Sequence, residues 1–430
     1  MPCPPVTCIH ESHKAISVAI IYDKSPLADG SIAMPQWASF DAFLEDTNRA
    51  KTDRERQMMV DELFSERPHW PWIEHDSAIF AYNGASAQSV ALNLDTIRAD
   101  PPFAPMTRIQ GTSMWYVQRS FQPDDLLDYL IAVDDPMTPL AQERDIVGRI
   151  ARHWRDDGLN PVRMNTAQAT VSILRMKYAR PFPDWAAMRH VPRGSVQEHT
   201  INSSALDIQG RKLWVYTPAG YEDSGLDYPL LILQDGQWAV GALQVPEMAD
   251  ALIKHERLQP LIIAMVQSGT QAEREREYVV NDAHYNFVTD ELLPLLQSSY
   301  RIDAANIGIG GVAIGATAAM HAALTNPSLF SSLIMISSPL GKGAYAEQVR
   351  AFAGRFGDAA VLPRRIFQSV GRYEAAGRFV KPALALRDLL QAKTGTYYRF
   401  CEIGSGHGLA AFRSILPEAL AWAYPGAAFS

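Results

Sequence analysis

The chain has 430 residues, 47% hydrophobic and 20% charged, enough apolar material for two or three ordinary domains with full cores. Its formal net charge of −8 supplies no global basic field, which argues against a nucleic-acid partner. The cysteines number three, Cys3, Cys8 and Cys401, with neither the count of a disulfide framework nor the spacing of a metal-ligand set, so no metal or other cofactor is expected.

In chain order, Met1–Lys14 lacks the basic and apolar regions of a secretory leader. No apolar run approaches the roughly 18 residues of a membrane span, so a cytoplasmic protein without a membrane partner is expected. One strand-like run, Ile16–Tyr22, follows. From Trp37 to Ser65 the pattern turns helical: Phe40, Phe43, Leu44, Met58, Met59, Val60, Leu63 and Phe64 recur at three- and four-residue spacing, with charges on the other face. Residues 1–66 therefore read as an extension carrying a helical arm packed on the core.

Between Ser77 and Val133, the runs Ala78–Tyr82, Ser89–Leu94, Ser113–Arg119 and Leu127–Val133 alternate like strands. Turn residues separate them, as at Asn83-Gly84 and Gly111-Thr112. Such spacing predicts a small β-sandwich. Asp135–Pro192 is Pro-rich and irregular, with one helical piece, Leu140–Trp154, and reads as a tether. Residues 67–192 thus form a sandwich plus tether.

After Gly194 the texture becomes strand–helix alternation. Lys212–Thr217, Pro229–Leu233, Pro260–Val266, Ile307–Gly310, Leu333–Ser337 and Arg365–Val370 are strand candidates, many of them continuous apolar runs, as in strands buried on both faces. Helical patterns at Pro246–His255, Asn286–Ser299 and Ala316–Thr325 lie between them. The fold class is therefore α/β, with a doubly wound, mostly parallel sheet over residues 193–430.

Within this half, Gly311-Val312-Ala313-Ile314-Gly315 has the frame of a nucleophile elbow, G-x-S-x-G, with alanine in the serine position. The glycines suit a turn in which a helix crosses close to a strand. An acid and a histidine should follow in that order. Glu374 closes a strand, and His407 stands in the glycine-rich loop Gly404–Gly408. Ile314 would offer one oxyanion N–H by position, and Gln237 or Trp238 the other, from the turn after Leu231–Gln234. Ser337 and Ser338 are surrogate hydroxyls or, more simply, caps of a turn. Cys401 reads as core.

These segments resemble the enterochelin esterase family. Pro105–Trp115 is similar to its P-M-x-R-x-x-G-T-x-x-W segment, and Leu159-Asn160-Pro161 to its L-N-P tether. Arg211–Pro218 matches R-x-x-W-x-Y-T-P, Leu233–Gln237 matches L-x-D-G-Q, and Glu291–Pro294 matches E-L-L-P. Arg274–Tyr278 resembles the segment near the family's ligand, which casts Arg274 and Asp235 as substrate-binding residues. The resemblance implies an α/β-hydrolase fold behind an immunoglobulin-like sandwich and a cytoplasmic hydrolase of ferric catecholate siderophores. The ligand expected is a small-molecule ester, lactone or peptide-derived compound, and a homodimer is allowed.

The departures are Ala313 for the serine, Gly408 for the acid beside the histidine, and Phe412-Arg413 where the family has W-R. Three readings of Ala313 stay open: an engineered Ser→Ala replacement, a natural binding protein without hydrolysis, and His407-based acid/base chemistry without a covalent step.

Overall fold

Alternation after Gly194 produces one eight-stranded sheet in the computed structural model, which describes residues 35–166 and 168–429. Ile16–Tyr22, Met1–Lys14, Cys3 and Cys8 lie outside the described residues. The strands are β1 (Ser195–Ser203), β2 (Ile208–Thr217), β3 (Tyr228–Gln234), β4 (Ile262–Val266), β5 (Ile302–Val312), β6 (Ser332–Ile336), β7 (Arg365–Gly371) and β8 (Tyr397–Ile403). Their order is β1-β2-β4-β3-β5-β6-β7-β8. The β1–β2 and β2–β4 pairings are antiparallel and the rest parallel.

Side-chain alternation explains why the central strands look uniformly apolar. Leu231 and Leu233 of β3 enter one core with Ile334, Ile336 and Phe367. Leu230 and Ile232 enter the opposite core with Leu333, Met335 and Ile366. Helices α1 (Gly236–Val240), α2 (Val245–Lys254) and α7 (Leu409–Ala423) cover the first face. Helices α4 (Ile314–Thr325), α5 (Ala346–Asp358) and α6 (Lys381–Gln391) cover the second. Helix α3 (Gln271–Tyr278), opened by a Thr270/Glu273 capping box, leads from the end of β4 toward the elbow region.

The front half is built of two antiparallel sheets. One orders Trp72–Glu74, Ser77–Asn83, Met114–Ser120 and Thr107–Arg108. The other orders Phe103–Pro105, Val90–Leu94, Leu126–Val133, Thr170–Arg175 and Arg163–Asn165, with Trp154–Arg155 beside Leu126–Val133. Phe80 and Trp115 of the first sheet share a core with Leu92, Tyr129, Ile131 and Leu174 of the second, so the sheets pack face to face. The stretch expected to be a tether is instead part of the sandwich domain. It carries a helix, Ile146–His153, and three strands of this sandwich. Its prolines flank those strands and do not interrupt them.

The helical expectation before residue 66 resolves into two helices. Asp53–Glu66 begins with a Thr52/Glu55 capping box and lies on the sandwich, where Gln57 accepts the Ser113 N–H at 2.8 Å. The described residues 35–48 belong to a separate unit. Within it Trp37 packs edge-on against Phe43 and donates its indole N–H to Asp46 at 3.0 Å.

The sandwich docks on the ends of β7 and β8. Leu126 N–H donates to Gly404 O at 2.8 Å, and Ser405 Oγ to Leu126 O at 2.6 Å. Arg372 pairs with Asp124 at 2.8 Å and Asp125 at 3.2 Å, and Tyr373 OH donates to Asp125 at 2.6 Å.

Candidate active site

The glycine-rich end of β5 delivers Ala313 to a tight turn at φ 49° and ψ −127°, immediately before α4. A non-glycine residue in such a conformation costs of order 1–3 kcal/mol and persists only where its surroundings dictate it. Here they do. Ala313 N–H donates to Ile336 O at 2.9 Å, and Ala313 O accepts from Ala316 N–H at 3.1 Å. Gly311 makes the crossing possible: a Cβ there would stand 2.4 Å from the backbone of Gly315. Ala313 itself is half-buried, so its side chain reaches accessible space.

The turn after β3 lies beside this elbow, because Leu233 pairs with Gly310. Asp235 sits at φ 62° and opens α1. Trp238 N–H donates to Asp235 O at 3.0 Å, which removes it as an oxyanion donor and leaves Gln237 of the expected pair. The Gln237 side chain is pinned to Ser268 by bonds of 2.7 and 3.1 Å. Neither Gln237 N–H nor Ile314 N–H has a backbone partner, as befits the first turns of α1 and α4. Two such donors are what an oxyanion hole requires.

Asp235 and Arg274 come together, but on each other. Their bidentate pair has two bonds of 2.7 Å, with the carboxylate 1% and the guanidinium 7% exposed. Arg274 also lies 4.7 Å from the Trp238 ring centroid. The pair braces the turn that presents Gln237, and its carboxylate is fully engaged.

Glu374 and His407 are also brought together, from the ends of β7 and β8. Glu374 Oε1 accepts from Ser337 Oγ at 2.5 Å and from Gly371 N–H at 3.0 Å. Its Oε2 stands 3.6 Å from His407 Nδ1 and accepts no hydrogen bond. That is too long for a hydrogen bond and near enough to stabilise an imidazolium. The imidazole lies between the rings of Phe379, 4.6 Å away, and Phe412, 5.2 Å away.

Ser337, at φ 52°, is thus an anchor of Glu374 and not a free hydroxyl. Ser338 Oγ is buried without a partner. Cys401 is half-buried, and burial pushes its thiol up to about 11, which suits an inert packing residue. Among the described residues no group of acidic, histidine and cysteine side chains is arranged to hold a metal ion. No described helix is long and apolar enough to cross a membrane.

Sequence reasoning did not single out Phe379, Asp95 or Asp128, all of which border His407. Asp95 accepts the His407 backbone N–H at 3.1 Å. Nothing local marks these residues, since the two aspartates come from the other domain.

Comparison with known families places this geometry. The model of the esterase family, described as "Putative esterase", matches residues 203–423, slightly more than half of the chain and nearly the whole large sheet. The chain belongs to this esterase family. Solved structures agree with the two-domain architecture. The enterobactin esterase FES from Shigella flexneri, in the presence of enterobactin, superposes with a TM-score of 0.67 at 19% identity, covering 80% of this chain and 92% of that one. Ferric enterobactin esterase from Salmonella typhimurium gives 0.70 at 18% identity, covering 84% and 98%. The esterase-family protein is also 22% identical to the uncharacterized protein YbbA of Bacillus subtilis, over 54% of this chain and 97% of that one. At these identities the structural likeness speaks for the fold.

Proposed function

We propose that this chain keeps the frame of an esterase site for a siderophore-like ester or lactone, and that Ala313 makes it a binder in place of a covalent hydrolase. The observation that carries this reading is the backbone at Ala313. The strained elbow is held by Gly311 and by hydrogen bonds on both sides, yet it presents a methyl group. A strained turn with no hydroxyl is the geometry of a nucleophile position without its nucleophile.

The remaining parts have definite roles in this reading. His407 would act as the base, Glu374 would orient and stabilise its imidazolium, and the N–H groups of Gln237 and Ile314 would hold a developing oxyanion. Without a hydroxyl no acyl-enzyme forms. Binding and the oxyanion hole alone sustain roughly 10³–10⁴ over the rate in water. The proposed ligand class is supported by the structural relatives, one of which was solved in the presence of enterobactin and another in the presence of 2,3-di-hydroxy-N-benzoyl-serine.

The test is Ala313→Ser. The restored protein should hydrolyse an activated aryl ester and be labelled by a fluorophosphonate, whereas the chain as it stands should do neither at a comparable rate. Calorimetric titration with a ferric catecholate should show binding to the Ala313 protein. Folded Ala313→Ser protein without labelling would refute the retained frame. Slow hydrolysis by the Ala313 protein that disappears in His407→Ala would favour non-covalent chemistry instead.

A further inference from the structure

Two glycines flank His407, and each leaves room for a carboxylate from the sandwich domain. A Cβ on Gly406 would stand 1.7 Å from Asp95 Oδ2, and one on Gly408 3.0 Å from Asp128 Oδ2. Asp95 directly follows strand Val90–Leu94, and Asp128 lies in its antiparallel neighbour Leu126–Val133. One patch of one sheet therefore meets both sides of the histidine. Asp95 Oδ2 accepts the His407 N–H at 3.1 Å, which fixes the backbone that carries the ring.

These contacts differ from ordinary docking contacts. Docking is served by the Leu126–Gly404 and Ser405–Leu126 bonds and by Arg372 with Asp124 and Asp125. Among the described residues Asp128 has no basic side chain within ion-pair distance. Burial pushes its carboxyl up to about 6, with the Asp95 charge as a second cause. A half-buried acid without a cationic partner is unfavourable for folding, so Asp128 does not serve docking as the Arg372 pairs do. The charged and titratable groups facing His407 are Glu374 from the end of β7 and Asp95 and Asp128 from the sandwich. Arg98 faces Asp95 and donates to Tyr373 O at 2.7 Å. Phe379 and Phe412 supply the apolar walls.

We propose that Asp95 and Asp128 are positioning residues for His407, through which the sandwich domain sets the placement of an imidazole in the neighbouring domain. The loop lacks an acid of its own at Gly408, and Asp128 brings a carboxylate to that place from the other domain. This inference rests on reading His407 as the base of the site.

The experiment is NMR of protein labelled in its histidine rings, together with kinetics. The His407 signal would be assigned by its loss in His407→Ala. Asp95→Asn and Asp128→Asn should each shift the His407 ring resonances, because each changes what holds the loop that carries the ring. Asp124→Asn, which weakens docking at Arg372 without facing His407, should leave those resonances in place. In the Ala313→Ser background, each of the first two variants should lower kcat on an activated aryl ester about 10-fold, roughly 1.4 kcal/mol, with little change in KM. Asp128→Glu should recover part of the loss. Unmoved His407 resonances in both folded variants, or an equal shift in Asp124→Asn, would overturn the proposal. Absence of hydrolysis in Ala313→Ser would count against the esterase frame, while the ring resonances would still decide whether the aspartates position the histidine.

Discussion

At the elbow, alanine and serine carry the same backbone strain, so replacing one by the other changes chemistry and leaves the turn alone. This is why Ala313→Ser is expected to fold normally and why its readout is catalytic. His284 offers a residue-scale test of stability. It is buried beside Tyr278 and Phe287, neither ring nitrogen has a partner, and burial pulls it down to about 3. The folded state therefore resists protonating it, whereas the unfolded chain takes up that proton near pH 6.5. Stability should be full above about pH 6.5 and be lost as pH falls toward 3, by about 2 kcal/mol at pH 5 from this group. Urea denaturation at pH 7 and pH 5 would show it, and His284→Leu should flatten the difference. A slope unchanged in His284→Leu would assign the acid sensitivity elsewhere. The strained turn at Ala313 and the meeting of Glu374 with His407 were legible in the sequence because the turn imposes a local pattern and the chain order of the other two is constrained. Asp95 and Asp128 were not, because their partner lies about three hundred residues away and no spacing encodes the pairing. Trp238 was half legible. Its turn could be read, but which N–H remains free depends on the 3.0 Å bond to Asp235 O.

At the scale of elements, the central strands were plain because both faces are buried and the runs stay apolar. The edge strand β1 was not among the expected strands. Most of its residues are exposed and it reads as a polar segment, Ser195 to Ser203. Thr170–Arg175 was hidden differently, as a buried strand between proline-rich flanks that suggested a linker. The β5–α4 crossing makes a sharp prediction. Gly311→Val would drive side-chain atoms into the Gly315 backbone, where even a Cβ stands 2.4 Å away. The helix cannot retreat without uncovering Ala316, Ala319 and Met320 from the core. Destabilisation should exceed about 3 kcal/mol, large for a single substitution, and thermal denaturation would measure it. A near-neutral result would mean that α4 does not cross β5 this closely.

At the scale of the whole molecule, the sandwich is fastened to the two loops that bear Glu374 and His407. Arg372 is the centre of that fastening, with Asp124 at 2.8 Å, Asp125 at 3.2 Å and Glu402 at 3.5 Å. Arg372→Ala would leave the buried Asp125 carboxylate without its cation. The expected loss is roughly 1–3 kcal/mol, since the pair is partly open to solvent. Faster proteolysis between the domains should accompany the lower denaturation midpoint, and retention of both wild-type values would disprove the fastening role.

The order of the sheet has a further consequence for synthesis. Strand β8 sits at the edge of the sheet and comes after every sandwich strand in chain order, so the sandwich emerges from the ribosome before it. The Ser405–Leu126 bond closes a separation of 279 residues. Until that closure, the nascent chain exposes the acidic patch around Asp124 to Asp128 without Arg372 and the histidine loop that answer it. Emergence of β8 and the loop after it thus closes the domain junction and brings His407 beside Glu374 in a single step.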